Sequence, residues 1–328
     1  MVVRVPIVGS VLSFSDEHMN TQAHSRTTKN GFTLIELSIV LVVIGLIVGG
    51  VLVGQNLITA AEVRATITQV EKYNTAANTF RGKFGYLPGD INPTAAQQFG
   101  FAARGTLCGE GDGNGVIEGV ETSSGGTCEG FADAVGETVM FWVDLSSPVG
   151  GNLIDGGFNT ASSTAAPSAD ITGTTINLWL PPAKLGRGNY FYVYSGEYYN
   201  SPTWTSLGIN YFGLSAVSNI AASSNHGKVA STPNIPVAQA YAIDKKVDDG
   251  MPQTGNVIAW YLNGGAQMWN DGTDVTSTLN EPLPTTTAIA GSSTTCYDNG
   301  HVTNATQNYS MEINSGAGAN CALSFHFQ

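Results

Sequence analysis

From Phe32 to Val53 the chain reads FTLIELSIVLVVIGLIVGGVLV, an apolar run with one charge, Glu36. About 20 apolar residues span a bilayer as a helix, so residues 32–53 are expected to form a membrane helix. Beyond it the pattern changes period. Val63, Ile67, Val70, Tyr73, Ala77, Phe80 and Phe84 recur every three or four residues, while Glu62, Arg64, Glu71, Lys72 and Arg81 fall on other faces. That one-sided stripe predicts an amphipathic continuation over 54–84, packed on a sheet. A single helix is therefore expected from about residue 33 to 82, ended by Gly82, Gly85 and Leu87-Pro88-Gly89.

Residues 85–328 read as a large domain of loops and short strands. Strands are predicted over Tyr190–Tyr194, Ile209–Leu214, Val257–Leu262 and Ala322–Phe327, the last alternating Leu323, Phe325 and Phe327 with Ser324 and His326. A short helix is predicted over Ala134–Leu145, and the Ser/Thr/Ala/Asn-rich stretches 158–175 and 216–236 read as surface loops. No internal repeat is visible. The fold class expected is α+β.

Charge orients the apolar run. Arg26 and Lys29 lie just before it and no basic residue follows until Arg64. The positive-inside rule then keeps the N-terminus cytoplasmic and exports the C-terminal bulk in a single pass. A secretory signal fits poorly, because its apolar region is about 7–15 residues long and ends in a small-x-small cleavage site. A net charge of −12 argues against nucleic-acid binding, which needs a basic footprint, and is compatible with divalent cations.

Glu36 is the residue a plain membrane anchor does not explain, since a carboxylate there costs a few kcal/mol unless partnered or interfacial. Its context is Lys29-Asn30-Gly31-Phe32-Thr33-Leu34-Ile35-Glu36-Leu37. This resembles the processing site of type IV pilins and type II secretion pseudopilins. The resemblance implies a peptidase that cuts after Gly31 and methylates the new N-terminal Phe32. It further implies that Glu36 pairs with the Phe32 amine of a neighbouring subunit during assembly. Partners implied are the prepilin peptidase/methyltransferase, identical or related pilin subunits, an inner-membrane assembly platform and membrane lipid. The fold implied is a long N-terminal membrane helix packed on an antiparallel sheet, here with an enlarged, loop-rich exported domain over 85–328.

Residues 1–31 are then a leader, long for this family. Its first 18 residues hold an apolar patch and two acids that the motif does not require, and Met19 would begin the shorter leader MNTQAHSRTTKNG. Met19 is the expected start. Gly45, Gly49, Gly50 and Gly54 make two G-x-x-x-G spacings, which let membrane helices approach closely. No proline interrupts the run, unlike in many major pilins, which points to a pseudopilin-like or minor subunit. Glu36 argues against a tip subunit that starts filaments, because tip members of the family often lack that acid. Two functions fit the resemblance: a structural subunit of a secretion pseudopilus in the bacterial inner membrane and periplasm, or a surface pilin acting in adhesion, motility or DNA uptake.

Four cysteines, Cys108, Cys128, Cys296 and Cys321, all follow the membrane helix, and no C-x-x-C occurs. An even count in an exported domain fits disulfides. Of three possible connectivities, Cys108–Cys128 with Cys296–Cys321 closes two short loops and is preferred. Between the first two lies Glu110 to Glu121, EGDGNGVIEGVE, readable as a twelve-residue calcium loop. Glu110, Asp112 and Asn114 stand at positions 1, 3 and 5, glycine at 6, the Val116 carbonyl at 7 and Glu121 at 12. Position 1 is Glu where Asp is usual and no helices flank the loop, so an acidic glycine-rich turn stapled by Cys108–Cys128 is the alternative. Asp248 and Asp249 are a second calcium candidate, in a segment from Ala242 to Gly255 that also looks like pilin-family sequences, as does the end from Cys296 to Gln328.

The five histidines are scattered and none sits in H-E-x-x-H. No G-x-S-x-G, Walker or dinucleotide fingerprint occurs, so a non-enzymatic protein is expected.

Overall fold

A computed structural model of the chain describes residues 33–107, 109–121, 127–129, 135–158, 167–198, 205–220, 229–232, 234–252, 254–261, 296–298, 308–311 and 314–327. The helices are α1 (Leu34–Phe84), α2 (Pro93–Phe99), α3 (Glu137–Ser146) and α4 (Val237–Val247). The strands are β1 (Gly119–Glu121), β2 (Thr127–Glu129), β3 (Ile171–Thr172), β4 (Asn189–Tyr198), β5 (Thr205–Ile220), β6 (Val229–Thr232), β7 (Ile235–Pro236), β8 (Val257–Tyr261), β9 (Tyr297–Asp298), β10 (Asn308–Tyr309) and β11 (Ala319–His326). The fold is α+β: a long apolar N-terminal helix and an antiparallel seven-stranded sheet. The chain divides into two units, Met1–Val53 and Gly54–Gln328, with the division inside α1.

In the first unit every residue from Thr33 to Val53 is exposed. A stretch of about 20 helical residues rises about 30 Å, the thickness of a hydrocarbon core. Among the described residues α1 is the one helix long and apolar enough to cross a membrane. A Cβ at Gly45, Gly49 or Gly50 would touch nothing within 4 Å.

In the second unit the remainder of α1 lays the expected stripe on the sheet. Val63, Tyr73, Ala77 and Phe80 are buried, with Ile67, Val70 and Phe84 packed at the margin. Tyr73 is the hub: its ring lies 5.1 Å from Trp142 of α3, 5.4 Å from Phe191 of β4 and 6.1 Å from Phe212 of β5. Edge-on aromatic pairs of this kind add about 0.5–1.5 kcal/mol each to simple area burial. Gln69, one turn earlier, donates to the Pro182 carbonyl and accepts from Lys184 N, tying α1 to the segment before β4.

β5 is the spine of the sheet. It pairs with β4 on one side and with β11 on the other, so that Leu214 lies between Phe191 and Leu323. β3 and β6 pair with its C-terminal part, and β8 and β7 pair with β11. Alternation gives the strands two chemistries. Phe191, Phe212 and Phe325 share one face with Tyr73. On the other, Tyr192 bonds Ser215, Ser215 bonds Ser231, and Tyr194 bonds Ser324, all buried. Tyr192 stands directly opposite Gly213, where a Cβ would meet the ring at 2.0 Å.

The described residues of the four predicted strands fall within β4, β5, β8 and β11, apart from Phe327; Leu262 and Ala134 lie outside the described residues, and the predicted helix is found as α3. The stretch 216–236, expected as a surface loop, is corrected. β5 continues to Ile220, and β6 and β7 follow. Isolated apolar residues there, Val217, Ile220, Val229 and Ile235, are all buried against the sheet despite their Ser and Asn neighbours. Likewise 158–175 carries the short strand β3. α2 and α4 are additions to the expected elements. α2 has a full sequence signature: Asn92 caps Ala95 N, Pro93 opens the helix and Gly100 closes it at φ 82°.

Candidate functional site

Thr33 and Glu36 begin α1 as a reciprocal cap. The Glu36 carboxylate accepts from Thr33 N and from Thr33 Oγ1, both at 2.8 Å, while Glu36 N donates to Thr33 Oγ1 at 3.3 Å. This is the S/T-x-x-E box that satisfies helix N-terminal donors. Its signal in the sequence is Thr33-Leu34-Ile35-Glu36, a capping spacing that the reading of Glu36 as an interfacial or subunit-paired carboxylate did not use. The charge in the apolar run is thus hydrogen-bonded within its own chain.

The second cluster sits under the loop 111–118 and is built from outside it. Asp90, just past the Leu87-Pro88-Gly89 turn, accepts from Gly113 N at 2.6 Å and Gly115 N at 2.8 Å. Glu137, at the start of α3, accepts from Gly111 N (3.0 Å), Asp112 N (3.3 Å) and Glu118 N (3.0 Å). Asn210 of β5 accepts from Ile117 N and donates to the Gly115 carbonyl. Gly111 and Gly113 have φ of 103° and 80°, and at Gly111 a Cβ would strike the Ile91 carbonyl, so this path requires glycine.

Carboxylate oxygens of Asp90, Asp112 and Glu137 lie within 4.8 Å of one another. Burial pushes Asp90 up to about 7, against the pull of the Gly115 and Gly113 amides. Burial, then the charge of Asp90, raises Glu137 well above the ordinary carboxylate range. Burial raises Glu118 as well. Nearby, Arg104 and Asp144 form a buried ion pair at 2.6 Å. Asp144 also accepts from Gly89 N, yet burial outweighs Arg104 and raises it.

Of the residues predicted to ligate calcium, Asp112 joins this cluster. Glu110 is buried and turns its carboxylate to Leu107 N. Asn114 Oδ1 accepts from Val116 N, and its amide faces Asp112 and Glu118. The side chain of Glu121 and the whole of Cys108, hence the Cys108–Cys128 bridge, lie outside the described residues. Asp90 and Glu137 escape a reading of the loop because they are 22 and 25 residues from Asp112.

The donors fit a hard cation. Three carboxylates offer only oxygen, and calcium takes six to eight oxygens at about 2.3–2.6 Å, which puts opposed ligands about 5 Å apart. Oxygens lying within 4.8 Å of one another are close enough to share one such ion. Glu137 Oε2, which accepts from Glu118 N, keeps a lone pair, whereas Oε1 accepts from both Gly111 N and Asp112 N.

Asp248 and Asp249 form a third cluster with Asp244. Asp244 accepts from Tyr309 OH at 2.7 Å and Gly250 N at 3.1 Å, and burial pushes it up to about 6. Asp248 accepts from Asn256 N and Val257 N, and Asp249 from Met251 N and Thr254 Oγ1. These bonds close the turn between α4 and β8. The Cys296–Cys321 disulfide is formed, with Cα atoms 5.1 Å apart. It joins the segment before β9 to β11, and both residues are fully buried.

Residues 26–52 match the family model described as the prokaryotic N-terminal methylation motif. The chain carries that methylation motif. No curated protein and no solved structure matches the chain. The methylation motif is typical of the prepilin leaders of type IV pilins and pseudopilins. It covers Gly31 and Phe32, which lie outside the described residues, and Thr33 and Glu36, which open α1. With the apolar helix it fits membrane anchoring.

Proposed function

We propose that the chain is a structural subunit of a type II secretion pseudopilus or a type IV pilus. Residues 32–53 anchor it in the bacterial inner membrane, and the larger unit is periplasmic until assembly. Prepilin peptidase cleaves between Gly31 and Phe32 and methylates Phe32, and the assembly platform draws the subunit into the filament. The observation that carries this reading is the match over residues 26–52 to the methylation motif, coinciding with a fully exposed apolar helix. Glu36 pairs with the Phe32 amine of a neighbouring subunit, exchanging its Thr33 bonds for an ion pair of higher value in a low-dielectric bundle.

The test is expression of the full chain with its assembly machinery. Gly31→Ala leaves the leader attached, read from the intact mass. Glu36→Ala is cleaved and methylated normally but is depleted at least tenfold from the sheared filament fraction. Normal incorporation of Glu36→Ala removes the assembly role.

Within the larger unit we read Asp90, Asp112 and Glu137 as a seat for calcium that fastens the 111–118 loop. Support comes from the approach of two buried carboxylates, Asp90 and Glu137, to the exposed Asp112 of the loop, and from their all-oxygen donor set.

A further inference from the structure

We draw no further inference here: the strongest candidate, the carboxylate cluster of Asp90, Asp112 and Glu137 at the 111–118 loop, belongs to the site already described.

Discussion

Asp90 makes the stability of the larger unit depend on pH in an unusual direction. Its carboxyl is pushed from 3.8 to about 7 in the folded chain. Between those values the folded state holds a proton that the unfolded state has released. Stability therefore falls as pH rises, because the native state binds more protons than the unfolded one. The contribution is fully present below pH 4 and lost as pH passes through 7. At about 1.36 kcal/mol for each pH unit between the two values, the total is about 4 kcal/mol, of which about 2 kcal/mol is lost between pH 5 and 7. The perturbation is Asp90→Asn, which removes the titration. It also faces an amide NH2 toward Gly113 N or Gly115 N, an offset of about 1–3 kcal/mol for the displaced hydrogen bond. The hydrogen-bond offset itself does not titrate, and because the charge of Asp90 also raises Glu137 the pH slope reports the coupled pair. The assay is urea unfolding of the full chain in detergent with chelator, followed by tryptophan fluorescence from pH 5 to 8. The wild type loses stability relative to Asp90→Asn by about 2 kcal/mol over two pH units. Parallel profiles for the two proteins would refute a buried, protonated Asp90.

The same cluster predicts a calcium response. At about 100-fold excess over Kd, calcium adds about 2.7 kcal/mol, which in a unit this size raises Tm by about 5–10 °C. Glu137→Gln abolishes the rise while leaving the chelated protein folded; a wild-type Tm indifferent to both calcium and chelator removes the site. Arg104→Met strands the buried Asp144 carboxylate and costs about 3–5 kcal/mol in urea, most of which Arg104→Met with Asp144→Leu restores. A single-mutant loss below about 1 kcal/mol would show the pair to be dispensable. Gly213→Ala drives a methyl into the Tyr192 ring and costs about 1–3 kcal/mol. Pairing it with Tyr192→Ala relieves the clash, so the two changes are strongly non-additive in a double-mutant cycle.

What the sequence makes legible follows from distance along the chain. The apolar run and the stripe from Val63 to Phe84 are local periodicities, and both are found in α1. The four predicted strands alternate or carry dense aromatics, and each contributes to the sheet. The 216–236 stretch reads as a loop because Val217, Ile220, Val229 and Ile235 stand singly among polar residues. Val217 and Ile220 of β5 pair with β6, Val229 of β6 with β5, and Ile235 of β7 with β11, pairings which local composition does not report. The twelve-residue calcium register assigns all its ligands to one segment. The carboxylates and amide that organise the loop, Asp90, Glu137 and Asn210, come from three other elements. Only Asp112 is visible from within.

β11, residues 319–326, is hydrogen-bonded between β5 and β8 and carries Cys321 near its start. Loop closures over such separations are slow, because chain entropy is lost before the contacts form. As synthesis proceeds, β5 and β8 wait without the strand that joins them. Their exposed edges are a period of aggregation risk. The chain through residue 326 must arrive before the sheet can close, so the time from synthesis to a closed sheet has a lower bound set by topology.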